Sequence, residues 1–541
     1  MAFPVRHLYT RVVSHYYISF FIRHHSQGPQ AIIEHRFLSH LQVKGTLVSI
    51  AMFKANDYKV LSVRDGFLAT AKESLKYLSS LAINDCLSPR HFLSFILVLN
   101  LTFMIAFLPF RYFATIATAE PVMVDNELNV EVVAEGLKSP SNIAFLGPND
   151  ILALEKDSGK VRRIVNGTIL EKPLLDVNVA NKKFERGLLG IDIASNNNSA
   201  PTQVFLYFTE SKIRDGEDNC PLNNYCYPGN DPLGNRLYRY DLDEMNSTLV
   251  NPKLLLDLPA TPGPAHNGGV VVIGPDNNVY VVVGDILGDL NATSRTAAQN
   301  FQNGSSPDGR AGILRVTQDG KNVGDGLLGK NGILNKYYAY GIRNSFGMDF
   351  DPVSGNLWDT ENGPEYGDEI NLVKPGFNSG WISVQGYWIP TKIHNHPLRD
   401  FAPGEVMLRP NGSVSFVNFS EYGTYSSPKF IWYTPMAPTA LRFLNSDNLG
   451  EQYENDMFVG DMYGNLYHFD LIKNRTDLDL FGPLKDRIAN NPEEIQGVKF
   501  GEGFGRSLSG ITDIEVGYDG CLYVVSYEGT IYRIVKGSSA P

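Results

Sequence analysis

The chain has 541 residues, 50 of them Gly and 31 Pro, 11% aromatic residues and a formal charge of −11. A core of that size needs no disulfide or metal staple, and a turn-rich, aromatic composition speaks for strands rather than long helices. Residues 1–90 hold 11 Lys+Arg against 5 Asp+Glu, whereas residues 112–541 hold 35 against 53; an acidic body argues against nucleic acid as its partner.

Residues 1–90 read as an N-terminal cytoplasmic extension. Seven of the eleven His fall within the first 91 residues, but no pair has ligand spacing, and His24-His25 beside Arg23 reads as a solvated patch. Met52 offers an alternative start. Residues 91–111 contain FLSFILVLNLTFMIAFLPF (92–110), uncharged, with Ser94, Asn100 and Thr102 as its polar side chains. At about 1.5 Å per residue such a run just spans a bilayer core of about 30 Å. The basic excess upstream places the N-terminus inside and the body outside. The expectation is a transmembrane helix with the body membrane-anchored and extracytoplasmic. The alternatives are a secreted body, if "ATIATAEP" after Arg111 is a cleavage site, and a buried core helix. Residues 112–127 are expected to be a linker and 128–541 one all-β domain.

Within the body, Cys220 and Cys226 flank the turn-rich loop DNCPLNNYCYPGN. A disulfide there contributes roughly 2 kcal/mol in the chain-entropy model, and zinc would need further ligands. Cys86 and Cys521 are expected to be free thiols, Cys521 in a core strand. Glycosylation sequons occur at Asn166, Asn197, Asn246, Asn291, Asn303, Asn411, Asn418 and Asn474.

From residue 128 onward one unit recurs: an Asp/Asn/Gly turn, a short apolar strand, then a second strand. PNDILALEKDSGKVRRI starts it; QVFLYFTE with NRLYRYDLD, DNNVYVVVGD with GILRVTQDG, SGNLWDTENG with DEINLV, NDMFVGDMYGNLYHFDL and DGCLYVVSYEGTIYRI continue it. NRLYRYDLD and TIYRI alternate, whereas VYVVV and CLYVV are continuous apolar runs that fit inner strands buried on both faces. Six such units suggest a six-bladed β-propeller, against a sandwich or solenoid. LNVEVVAEGL (128–137) lacks a partner in the first unit and can close the ring on the last.

Three constellations carry chemistry. In GPAHNGGVVVIGPDNNVYVVVGD, a hairpin can return Asp285 to His266, where a carboxylate orients an imidazole and raises its basicity. The alternative is a loop histidine with a backbone partner. In YGIRNSFGMDF, Arg343 and Asn344 precede an apolar strand, and such an Arg either binds an anion or is structural. In TENGPEYGDEINLV, Glu361, Asn362, Glu365, Asp368 and Glu369 crowd around Gly363 and Pro364, an oxygen-rich loop suited to Ca²⁺ or simply solvated.

Together, HNGG…GPD…GD, YGxRNxxG and ENGPxxGDEIN, with ERGLLGIDI (185–193), resemble the soluble quinoprotein glucose/sorbosone dehydrogenases and aldose sugar dehydrogenases from about residue 130 to 536. The resemblance implies a six-bladed propeller holding pyrroloquinoline quinone (PQQ) and Ca²⁺, an aldose as substrate and an external electron acceptor. It implies His266 as the base taking the C1 hydroxyl proton while hydride passes to the quinone, Asp285 orienting His266, and Arg343 stabilising charge on the quinone. Asn344, Asn362 and Glu185 would contact the cofactor. The carbonyls of Gly363 and Pro364 would ligate Ca²⁺, with Asp368 and Glu369 supporting that loop or a second Ca²⁺. The chain departs from the family where a Lys is usual in residues 458–465, where an R-x-R-D run is usual at 510–513, and at Glu185, where Gln is usual. Those cations pair with the PQQ carboxylates, so the quinone half of the site looks rebuilt or lost. The implied function is PQQ-dependent oxidation of a sugar; the alternatives are a glycan- or protein-binding propeller without cofactor and a Ca²⁺-dependent lactonase.

Overall fold

The computed structural model describes residues 120–537 apart from 181–184, 195–200, 213–231, 287–294, 365, 388–415, 420–421 and 507, together with four strands near the N-terminus. Those strands, Thr10–Val13, Tyr16–Phe20, Leu38–Val43 and Thr46–Ala51, form one antiparallel sheet in chain order, in a unit (Met1–Ala117) separate from the body (Thr118–Pro541). The body is an all-β propeller. Its described residues form separate sheets in which the first three strands run antiparallel in chain order.

The first strands of these sheets are Pro140–Gly147, Leu188–Ala194, Val271–Ile273, Ser345–Phe350, Pro438–Phe443 and Ile511–Val516. Each packs against the next, and the last packs against the first, so they line a closed ring. At four of the six seams a side chain rivets neighbours together by accepting a backbone N–H. Asn142 accepts from Ile191 at 3.1 Å, Asp192 from Ile273 at 2.6 Å, Asp349 from Phe443 at 3.0 Å and Asp513 from Ile143 at 2.8 Å. A radial array of this kind leaves only short edges exposed. Leu128–Glu135 pairs antiparallel with Thr530–Lys536, Val130 opposite Ile534, so the start of the body fastens its end as expected. Between the sheets the core is filled by large side chains, with Trp358, Trp432, Phe430 and Tyr467 fully buried.

The recurring sequence units correspond to second and third strands. Gly234–Asp243 alternates buried and half-buried positions on either side of a slip at Tyr238–Arg239, where its pairing register also shifts. VYVVV and the LYVV of CLYVV lie in Asn278–Val283 and Leu522–Ser526, buried on both faces, but second in their sheets and not innermost. Two expectations need correction. Val122–Met123, inside the expected linker, adds a strand to Lys499–Glu502. Cys521 sits half-buried just before its strand rather than within it, and is a free thiol. Among the described residues no helix is long and apolar enough to cross a membrane; the run at 92–110 and Cys86, Cys220 and Cys226 lie outside them. Of the sequon asparagines, Asn166, Asn246, Asn303, Asn418 and Asn474 are described and all are exposed.

Candidate active site

In antiparallel sheets of this kind, the segment leading into the first strand and the turn joining the second to the third lie at the same end. His266 leads into Val271–Ile273, and Asp285 follows Asn278–Val283. Arg343 and Asn344 lead into Ser345–Phe350, and Glu185 into Leu188–Ala194. The turn from Leu357–Glu361 to Asp368–Val373 carries Asn362, Gly363 and Pro364. Segments far apart in sequence therefore meet at one mouth of the ring.

At the centre, His266 Nδ1 lies 2.5 Å from Asp285 Oδ1, both side chains buried. Asp285 Oδ2 accepts from Trp381 Nε1 at 2.8 Å, and the Asp285 N–H donates to the Arg343 carbonyl at 2.8 Å. His266 holds a left-handed backbone, φ 62°, and its N–H donates to the Glu185 carboxylate, whose other oxygen accepts from Asn344 Nδ2 at 3.4 Å. Gly284 lets these loops close: a Cβ there would lie 2.6 Å from the carbonyl oxygens of both His266 and Arg343. Burial by itself would raise the Asp285 carboxyl, but His266, Arg343 and the Trp381 N–H outweigh it and hold it below its ordinary value.

Arg343 is the hub of the second half. Its guanidinium donates to the carbonyls of Asn362 and Gly363 at 2.7 and 2.8 Å, and its N–H donates to Glu361 Oε1 at 2.8 Å. Desolvation lowers its pKa against the opposing pull of Asp285, Asp368, Glu185 and Glu361. Asp368 braces the loop, accepting from the N–H of Gly363 at 2.8 Å and of Met436 and Ala437 at 2.7 Å each; burial still lifts it to about 6. Glu369, on the opposite face of the strand from Asp368, lies across the strand pair from Glu361, shares the Ser379 hydroxyl with it, and accepts from Gln385 Nε2 at 3.0 Å and from the Gly386 N–H. The Ser379 hydroxyl donates to Glu361 at 2.6 Å. Burial pushes Glu361 up to about 7, and pushes Glu369 and Asp359 well above the usual carboxylate range.

His266, Asp285, Glu185, Arg343, Asn344, Asn362, Gly363 and Asp368 thus converge, with Pro364 in the same turn, and Glu369 joins them through Glu361 and Ser379. Sequence reasoning missed Trp381, Glu361 as the prop of Arg343, and Ser379. The only available signal was the Gly380-Trp381 pair in a Gly/Asn-rich turn, far along the chain from every motif.

Three atoms of the implied cofactor contacts, Arg343 Nε, Asn344 Oδ1 and Asn362 Oδ1, are buried without a hydrogen-bond partner, which fits a polar ligand at this mouth. The oxygen-rich loop fits a hard cation, although the Gly363 carbonyl already accepts from Arg343. The side facing a tricarboxylate fits poorly. In the stretch where a Lys would be usual, Asp461 is buried and accepts from Asn465 Nδ2 and the Tyr467 hydroxyl, 2.8 Å each. Nor do Arg186, Arg442 or Arg506 substitute. Arg442 is ion-paired to Glu515 and Asp349, Arg186 donates to the carbonyls of Ala260 and Gly263, and Arg506 is exposed beside Glu528.

Fold and site together define a β-propeller protein with a buried acid–base pair and an arginine hub at one mouth of the ring. Residues 137–402 match the family described as glucose/sorbosone dehydrogenase. The chain is 28% identical to quinoprotein glucose dehydrogenase B of Acinetobacter calcoaceticus over 268 residues, 48% of this chain and about half (53%) of that protein. It is 25% identical to the aldose sugar dehydrogenase YliI of Escherichia coli over 414 residues, 74% of this chain and 91% of that one. The solved PQQ-bound aldose sugar dehydrogenase of Streptomyces coelicolor shares the fold, with a TM-score of 0.50 and 22% identity over 75% of this chain and 98% of its own.

Proposed function

We propose that the chain is a six-bladed propeller oxidoreductase that oxidises the C1 hydroxyl of an aldose, using PQQ and Ca²⁺, on the extracytoplasmic side of a membrane and in exchange with an external electron acceptor. The observation that carries this reading is the His266–Asp285 pair beside the unsatisfied polar atoms of Arg343, Asn344 and Asn362. A histidine whose Nδ1 is fixed on a buried carboxylate presents Nε2 as a base. It takes the C1 hydroxyl proton, and Asp285 stabilises the imidazolium that results. Arg343 and Asn344 orient the oxidant, and Gly363, Pro364 and Asp368 form the loop that would hold Ca²⁺. Held by these residues, PQQ would supply a hydride acceptor beside C1. The named activities of the sugar dehydrogenase relatives support the substrate class.

The test is a titration of the purified full chain with PQQ and Ca²⁺, followed by absorbance on adding an aldose. Saturable binding and bleaching of the quinone band are expected. No binding at micromolar PQQ would favour a second reading, a cofactor-free carbohydrate-binding propeller, which the engagement of Arg186 and Arg442 elsewhere supports.

Glu185 sets the charge of this pocket. Glu185→Gln keeps an acceptor for the His266 N–H but removes one negative charge from beside an anionic cofactor. PQQ affinity is expected to rise about five- to tenfold, the scale of one partly screened unit charge. Fluorescence quenching by PQQ reads the change, and an unaltered dissociation constant would show that the carboxylate does not face the quinone.

A further inference from the structure

We propose that Trp381 is a positioning residue that couples the acid–base pair to the arginine hub. The inference rests on the reading of His266 as the base. Trp381 belongs to a segment that leaves its own sheet after Asp368–Val373 and crosses to the neighbouring one, where Asn378 pairs parallel with Tyr340. There it is fixed from both sides. Its N–H donates to the Gly341 carbonyl at 2.9 Å, and its own carbonyl accepts from Asn300 Nδ2 at 3.0 Å. The side chain is 3% exposed.

That placement gives the indole two functional contacts. Its Nε1–H donates to Asp285 Oδ2 at 2.8 Å, while Asp285 Oδ1 holds His266. Its ring face lies 5.3 Å from the Arg343 guanidinium carbon, a cation–π contact that gains weight when desolvated. One rigid side chain therefore fixes the rotation of the carboxylate that orients His266 and the plane of the guanidinium opposite it. The indole N–H also withdraws negative charge from Asp285. The groups facing the His266–Asp285 pair are Glu185, Arg343 and Glu361, in addition to Trp381.

The sign of its removal follows. Without the N–H, Asp285 becomes a stronger acceptor toward His266 and stabilises the imidazolium more, so the titration of His266 moves upward. Trp381→Phe keeps a ring over Arg343 and loses only the N–H; Trp381→Leu loses both. The experiment is a pH titration of the full chain labelled with ¹³Cε1-histidine, with the His266 signal assigned by its loss in a His266 variant. Trp381→Phe is expected to raise the His266 midpoint by about half to one unit and to lower kcat with little change in KM. Trp381→Leu is expected to shift it similarly and to weaken PQQ binding as well. A Trp381→Phe protein that melts earlier but leaves the His266 midpoint unmoved would reduce Trp381 to a packing residue and overturn the proposal. Because the titration needs no substrate, a shift in a protein that oxidises no sugar would uphold the coupling while sinking the dehydrogenase reading.

Discussion

Replacing His266 by Asn is expected to lower kcat for aldose oxidation by about 10²–10⁴-fold, the usual contribution of a positioned general base, while leaving the melting temperature close to that of the unsubstituted chain. Asn is the informative substitute because position 266 has φ 62°, a left-handed conformation that Asn tolerates better than Ala. The backbone N–H that meets Glu185 is kept, so the loop has no reason to rearrange. Asp285 loses its imidazole partner in this variant, but Trp381 and the Arg343 charge remain to hold it. Stopped-flow reduction of bound PQQ reads the chemical step directly. Wild-type rates in His266→Asn would mean that the proton leaves by another group and that the 2.5 Å contact is structural. Equal binding of PQQ by both proteins would confirm that the loss lies in catalysis and not in the pocket.

What the sequence disclosed depended on how regular each strand is. Second strands such as Asn278–Val283 and Leu522–Ser526 are short apolar runs between Asp/Gly turns, and third strands such as Gly234–Asp243 keep an alternation broken by one slip, so both were legible. First strands were not. Pro140–Gly147, Leu188–Ala194, Ser345–Phe350, Pro438–Phe443 and Ile511–Val516 all carry a break in register, which spoils the period-two pattern. They also carry the polar residues Asn142, Asp192, Asp349 and Asp513, whose partners lie on the neighbouring sheet and leave no local trace. The same contrast holds at the site. His266, Asp285, Arg343 and Asn344 stand in short motifs with glycines that permit the loops to meet. Trp381 reaches them only because the chain crosses between sheets at Asn378, which no local pattern signals. Charge at the cofactor end was legible as a departure, but where Arg186, Arg442 and Arg506 went required the fold.

Arg442 answers that question with a second large expected effect. Its guanidinium lies 2.7 Å from Glu515 and 3.5 Å from Asp349, and Asp192 and Asp513 also bear on it. These residues sit on first strands, so one cation serves four carboxylates at the wall of the ring. Burial lifts Asp192 to about 6, Asp513 to about 7, and Glu515 well above the carboxylate range, with Asp349 also raised. A carboxyl raised in the folded state binds protons more tightly folded than unfolded, so its contribution to stability is greatest below the unfolded pKa and falls as pH climbs through the folded one. The protein is therefore expected to lose stability between about pH 4 and pH 7. Arg442→Met keeps the apolar stem and removes the charge. Removing one partner from a fully buried pair costs roughly 3–5 kcal/mol; with 27% of the Arg442 side chain exposed, about 2–3 kcal/mol is expected at pH 8. At pH 5, Asp192 and Asp513 are largely protonated and the cation has less to offset, so the difference should shrink toward 1 kcal/mol or less. Urea unfolding of both proteins at the two pH values decides it. A destabilisation that is the same at pH 5 and pH 8 would assign Arg442 to packing alone, because only an electrostatic role predicts that protonating its neighbours rescues the variant.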